Sequence, residues 1–209
     1  MVKKINLKPG KSGGTFKARK PLTEGVQEAR ICRIVELGMQ EDRFGGDPKH
    51  VLSFAFELAD DKVEFEGEMK PAFAFKDVNV TVGEKATLTK LAIACGLGTD
   101  EINLDDFLGK AVSVTITNRT AANGNIYSNI TSISGLSERV AKSVPDLVAD
   151  SYFFDFDNPD VEVVSKLGKG MKNKISKALN YSGSKVEKLF AKLDTEVKQT
   201  TSDLDNGII

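Results

Sequence analysis

The chain holds one histidine and two cysteines in 209 residues, and no apolar run of membrane-helix length. Each shortage excludes something. His50, Cys32 and Cys95 lie far apart and form no close-spaced pair, so they make no zinc site. Two such thiols build no disulfide scaffold; a reducing compartment fits them, and both read as small buried apolar residues. Without about 20 consecutive apolar residues no membrane helix is predicted. The first lysines are followed by no apolar run, so no signal peptide is expected. Gly10-Lys11-Ser12 echoes a phosphate-binding loop but lacks the upstream glycine and the preceding strand. Asp100, Glu101, Asp105 and Asp106 follow no calcium-loop spacing and read as a helix start. His50 stands beside Pro48 and Lys49 with no nucleophile motif. The expectation is a chain without catalysis, cofactor or metal.

What is present is charge, unevenly placed. The formal net charge is only -1. Yet the stretch from Met1 to Lys20 carries Lys3, Lys4, Lys8, Lys11, Lys17, Arg19 and Lys20 with no acid, and Pro9, Gly10, Gly13 and Gly14 break any regular element. It reads as a flexible basic arm over residues 1–27. From Val163 to Lys192 there are Lys166, Lys169, Lys172, Lys174, Lys177, Lys185, Lys188 and Lys192 against Glu187 alone. Between them, from Glu36 to Glu68, acids outnumber Arg43, Lys49 and Lys62. Any single lysine reads most simply as the wet face of a helix. Two nearly acid-free basic blocks point to a phosphate-rich partner, bound through counterion release.

Periodicity sets the fold class. Ala29 to Leu37 is rich in β-formers. His50 to Leu58 alternates, with Leu52, Phe54, Phe56 and Leu58 on one face, which is a half-buried strand. Val63 to Phe65 opens a third extended stretch, resuming through Phe73, Phe75, Val78, Val80 and Val82 past Gly67 and Pro71. Leu88, Leu91, Ala92 and Cys95 then recur at helical spacing, and Gly96 ends that helix. Val112, Val114 and Ile116 alternate again, and Asn123-Gly124 turns the chain into a strand over Asn125 to Ile133. Three strands, a helix and a two-strand hairpin match a mainly β, five-stranded OB-type Greek-key barrel over residues 28–136, ahead of any other small β-barrel. Residues 137–150 read as a linker, 151–194 as a lysine-rich helical extension and 195–209 as a mobile acidic and apolar tail. Within the extension, Asn158-Pro159 reads as a helix N-cap with proline following.

An OB barrel binds single strands by stacking bases on exposed rings beside a positive groove. Phe44 and Tyr127, with polar neighbours, are expected to be exposed; Phe73 and Phe75 read more readily as core, like Phe54 and Phe56. The candidate nucleic-acid contacts are Lys17, Arg19, Lys20, Arg43, Phe44, Lys49, Phe73, Phe75, Lys76, Arg119, Tyr127, Lys172 and Lys174.

Four passages carry a resemblance: Ala-Arg-Ile-Cys-Arg-Ile-Val-Glu-Leu-Gly from Ala29, Phe-Leu-Gly-Lys-Ala-Val from Phe107, Asn-Ile-Tyr-Ser-Asn-Ile from Asn125, and Phe-Asp-Phe-Asp-Asn-Pro-Asp from Phe154 leading to Lys172-Asn173-Lys174-Ile175. They span most of Glu28 to Asn180, and the chain resembles phage-encoded OB-fold single-stranded DNA-binding proteins. The resemblance implies a role in phage DNA replication or recombination in the cytoplasm of the host bacterium. It also implies a C-terminal tail that recruits phage or host replication proteins, here through Asp203, Asp205, Ile208 and Ile209. The tail has a short acidic run and no terminal aromatic. Oligomeric state is left open. The alternative is a protein-interaction or virion-assembly module on the same scaffold, since fold does not fix function.

Overall fold

The alternating run around Phe54 becomes the central part of a long strand, β2 (Lys49–Phe65), with Leu52, Phe54, Phe56 and Leu58 all buried in the main core. It pairs antiparallel with β1 (Gly25–Gln40) and β3 (Glu68–Asn79). A computed structural model of the chain describes residues 20–42, 44–65, 67–81 and 83–205, with side chains in the last helix described as far as Thr195. The hairpin between β2 and β3 lies near Gly67, so Val63 to Phe65 ends β2 rather than opening a third strand, and β3 runs straight through Pro71. An edge strand tolerates that proline because its missing N–H would face no ladder.

β1 is 16 residues long and breaks register between Ile31 and Arg33 and again between Glu36 and Met39. Such bulges bend a strand. Its first half, Gly25 to Arg30, pairs with β4 (Ala111–Thr120), which pairs in turn with β5 (Ile126–Gly135). The sheet order is therefore β3-β2-β1-β4-β5, and a sixth strand, β6 (Tyr152–Phe154), adds parallel to β1 at Arg33–Val35. All steps along the β3-β2-β1-β4-β5 path are antiparallel, so β3 and β5 run in the same direction where they approach. No ladder joins them among the described residues, so the sheet is open at this seam rather than a closed five-stranded barrel. A side chain bridges the gap instead: the Lys76 ammonium donates to the Ile130 carbonyl at 2.8 Å. Helix α1 (Thr87–Ala94) contacts both β3 and β5 and buries Leu88, Leu91 and Ala92. The β4–β5 turn is closed by Ala121 N–H donating to the Asn125 carbonyl, with Gly124 at φ +80°. That backbone suits glycine.

The stretch expected to be a linker is an ordered strap. A short helix, α2 (Glu138–Ser143), is followed by a segment held by two charged groups, half-buried Arg30 and buried Glu57. The Arg30 guanidinium donates to the carbonyls of Gly109, Val144 and Pro145, each at 2.8 Å. The Glu57 carboxylate, only 6 % exposed, accepts the N–H groups of Val148 and Ala149 at 2.8 Å. Buried polar groups satisfied in this way are costly to remove.

Beyond the strap come α3 (Val161–Lys166), α4 (Lys169–Ile175) and α5 (Lys185–Asp205). Asp160, not Asn158, caps α3, its carboxylate accepting from Glu162 and Val163 N–H. Asp155 instead takes the N–H groups of Asp157 and Asn158. The helical path also extends to Asp205, further than the sequence periodicity implies. The extension has its own apolar core with Phe154, Val164, Ile175 and Val186 fully buried, closed against Val35, Leu37 and Val51 on the outer face of the sheet. At Gly38 (φ +73°) a Cβ would lie 2.8 Å from the Phe156 ring and 2.7 Å from Asn180 Oδ1, so the extension packs on bare β1 backbone. Such close approach excludes any larger residue there.

Candidate nucleic-acid interface

Along β3, Ala72, Ala74 and Val78 face the core, which sends Phe73, Phe75 and Asp77 to the outer face. Phe75 is 44 % exposed. Phe73 is half-buried, with the Arg33 guanidinium 4.9 Å above its ring and 5.5 Å from that of Tyr152. Phe73 is thus occupied by an internal cation–π stack, and Phe75 is the ring left available. Both depart from the expectation that these rings are core.

Across the seam, Tyr127 is 53 % exposed and pairs cross-strand with exposed Arg119. Ser128 and Ile130 turn inward, so Tyr127 and Asn129 share the outer face. Tyr127 stands three residues from the Lys76 contact at Ile130, or about 10 Å along the strand. Phe75 immediately precedes Lys76. Two exposed rings therefore stand on either side of a seam that Lys76 bridges from the inner side of β3, with exposed Arg119 on the hairpin side.

Phe44 is 97 % exposed on the β1–β2 loop, as expected. Asp42 shapes that loop, accepting from Phe44 N–H at 2.9 Å and from the Lys49 ammonium at 2.5 Å. The Lys49 contact, then the Phe44 N–H, holds the Asp42 carboxyl below its ordinary range. Lys49 is therefore engaged locally. Lys172 lies 5.7 Å above the Phe190 ring, and Lys174 pairs with Asp77 at 2.7 Å. Lys166 and Lys185 also have partners, Asp150 and Asn158, so the lysine block of the extension is partly spent on the fold. Lys20 is exposed. Lys17, Arg19, Arg43, Ile208 and Ile209 lie outside the described residues; Asp203 and Asp205 fall in the last turn of α5, beyond the described side chains.

Part of the acidic middle of the sequence has a structural account. Glu57 holds the strap. Asp61 accepts both the N–H and the hydroxyl of Thr23 at 2.7 Å. Burial pushes the Asp61 carboxyl up, but the Thr23 bonds outweigh it and the net shift is downward. Glu36 accepts Phe156 N–H at 2.8 Å and lies 3.7 Å from His50. These acids are fastened to the fold, while Glu41, Asp47, Asp60, Glu64 and Glu68 of the same stretch stay exposed.

Glu36 is the exception in sign. Burial raises its carboxyl above the ordinary value of 4.5, despite the Phe156 N–H and His50. A raised carboxylate favours the folded state when protonated and costs stability as pH rises through that window. Glu36→Gln keeps an acceptor for Phe156. Its stability relative to the native chain should climb as pH rises above about 4.5 and be flat below. A pH-independent difference in melting temperature would contradict this.

Arg33 and Asp77 were missed by sequence reasoning. Arg33 interrupts an otherwise apolar strand run, which was the available signal. Asp77 adjoins Lys76 and carries no local signal at all. Burial pushes the Cys32 thiol up to about 11 and Cys95 to about 12, so both stay protonated at neutral pH and are poor nucleophiles. No group of three His, Cys, Asp or Glu among the described residues is placed to hold a metal, and no described helix is long and apolar enough to cross a membrane. No protein-family model matches the sequence, and comparison with curated proteins finds no match.

Proposed function

We propose that this chain is a single-stranded DNA-binding protein that protects or organises strands during phage DNA replication or recombination, in the host bacterial cytoplasm and without catalysis. The observation that carries the reading is the pair of exposed rings, Phe75 and Tyr127, flanking the Lys76-bridged seam with Arg119 beside them. Aromatic platforms beside cations are what a sequence-tolerant single-strand site needs. An OB-type barrel is the fold reading that fits best. In its support, β1 is shared between two halves of the sheet, β3 and β5 are the edges that approach, and a helix between β3 and β4 packs at their junction. In this reading the extension covers the outer face of β1 and β2, and the strand path is shifted to β3, the seam and the β4–β5 hairpin.

Fluorescence anisotropy with oligo-dT tests the reading directly. Tyr127→Ala and Phe75→Ala should each weaken binding by about 1–3 kcal/mol, the stacking of one base, and Phe44→Ala should weaken it if the β1–β2 loop closes over the strand. Tyr127 and Phe44 are exposed, so their variants should melt at the native temperature. Normal binding by both the Tyr127 and Phe75 variants removes the seam from the mechanism. A native chain that ignores oligo-dT at low salt returns the question to the interaction-module reading. That reading is favoured by the exposed Met69 and Val148 lining a groove of about 360 Å³ between β3 and the strap.

A further inference from the structure

Asp77 sits two residues from Phe75 on the same outer face of β3. Both its oxygens are engaged: Oδ1 accepts the Ser53 hydroxyl and Oδ2 accepts the Lys174 ammonium, each at 2.7 Å. Lys174 reaches this point from α4, whose own place is set by Gln40 donating to the Lys174 carbonyl and by Ile175 in the extension core. The side chains of the ion pair are 46 % and 36 % exposed. Pairs this exposed contribute little net stability, so exchanging one partner costs little. A carboxylate taking a hydroxyl and an ammonium has the donor set that a backbone phosphate takes from a protein.

We propose that Asp77 is an internal competitor for the nucleic-acid strand, holding Lys174 above β3 where a phosphate sits when a single strand crosses Phe75. The inference rests on the single-strand reading above. Binding then exchanges one partner of Lys174 for another instead of adding a contact, and Asp77 is left as a negative charge beside the path. Asp77 therefore limits affinity, and in the free protein it keeps a mobile lysine on the binding face.

The test is a double-mutant cycle on the full chain, titrated with oligo-dT at several salt concentrations. Asp77→Asn keeps an acceptor for Ser53 and releases Lys174. It should bind about three- to tenfold tighter at low salt, with a salt slope steeper by about 0.7, the value of one added phosphate contact. Lys174→Ala should cost little in the native chain and considerably more in the Asp77→Asn background. Melting temperatures of all variants check the fold; Asp77→Ser gives the same readout should asparagine disturb Ser53. If the native chain binds but Asp77→Asn changes neither affinity nor slope, the competitor role is overturned. The same holds if Lys174→Ala costs the same in both backgrounds. Failure of the native chain to bind at any salt overturns the single-strand reading, and this inference with it.

Discussion

Phe154→Ala should lower the unfolding free energy by about 3–5 kcal/mol, the range for deleting a fully buried phenylalanine ring. Phe154 is completely buried and stands opposite Val35 in the β1–β6 pairing. Its ring belongs to the apolar core that the extension shares with the sheet. The cavity cannot readily collapse. β6 is pinned by its pairing to Arg33–Val35, and the strap before it is tied to Glu57 and Arg30. Because the ring joins extension to sheet, its removal should also promote local opening of residues 155–195. Urea unfolding measures the first effect and limited proteolysis the second. A variant within about 1 kcal/mol of the native chain would mean that the extension contributes far less to stability than its burial implies.

Raising salt from about 50 to about 200 mM should weaken oligo-dT binding about 100-fold. The estimate takes five phosphate contacts, drawn from Lys20 and Arg119 with Lys17, Arg19 and Arg43. Single strands give a slope of about -0.7 per neutralised phosphate, hence roughly -3.5 in all. Many lysines of the extension already have protein partners, so the count is well below what the sequence totals suggest. Anisotropy titrations across that range decide it. Affinity that is flat with salt would remove the electrostatic part of the proposal. A slope near -7 would mean that the paired lysines are released to the strand as well.

Local pattern in the sequence was a sound guide wherever the deciding forces were local. The alternation through Leu52, Phe54, Phe56 and Leu58 made β2, because a strand with one buried face must repeat every second residue. The helical spacing of Leu88, Leu91 and Ala92 made α1, and Asn123-Gly124 made the β4–β5 turn. Exposure of Phe44 and Tyr127 followed from their polar neighbours. Phe73 and Phe75 misled because β3 buries alanines on its inner face, and aromatic residues pull a sequence reading toward the core.

What the sequence by itself determined is therefore the elements and the uneven charge. What only the tertiary structure decided is who meets whom. Glu57 finds Val148 and Ala149 about ninety positions away, and Arg30 finds Val144 and Pro145 further still. That turned an apparent linker into a strap and gave Glu57 a buried structural role. The same holds for Lys76 at the seam and for Lys174 on Asp77. Hydrogen bonds and ion pairs between distant residues leave no period in the chain. Their partners are set by how β1 bends between two halves of the sheet and where the second core closes on its outer face, and neither is encoded in any one stretch of residues.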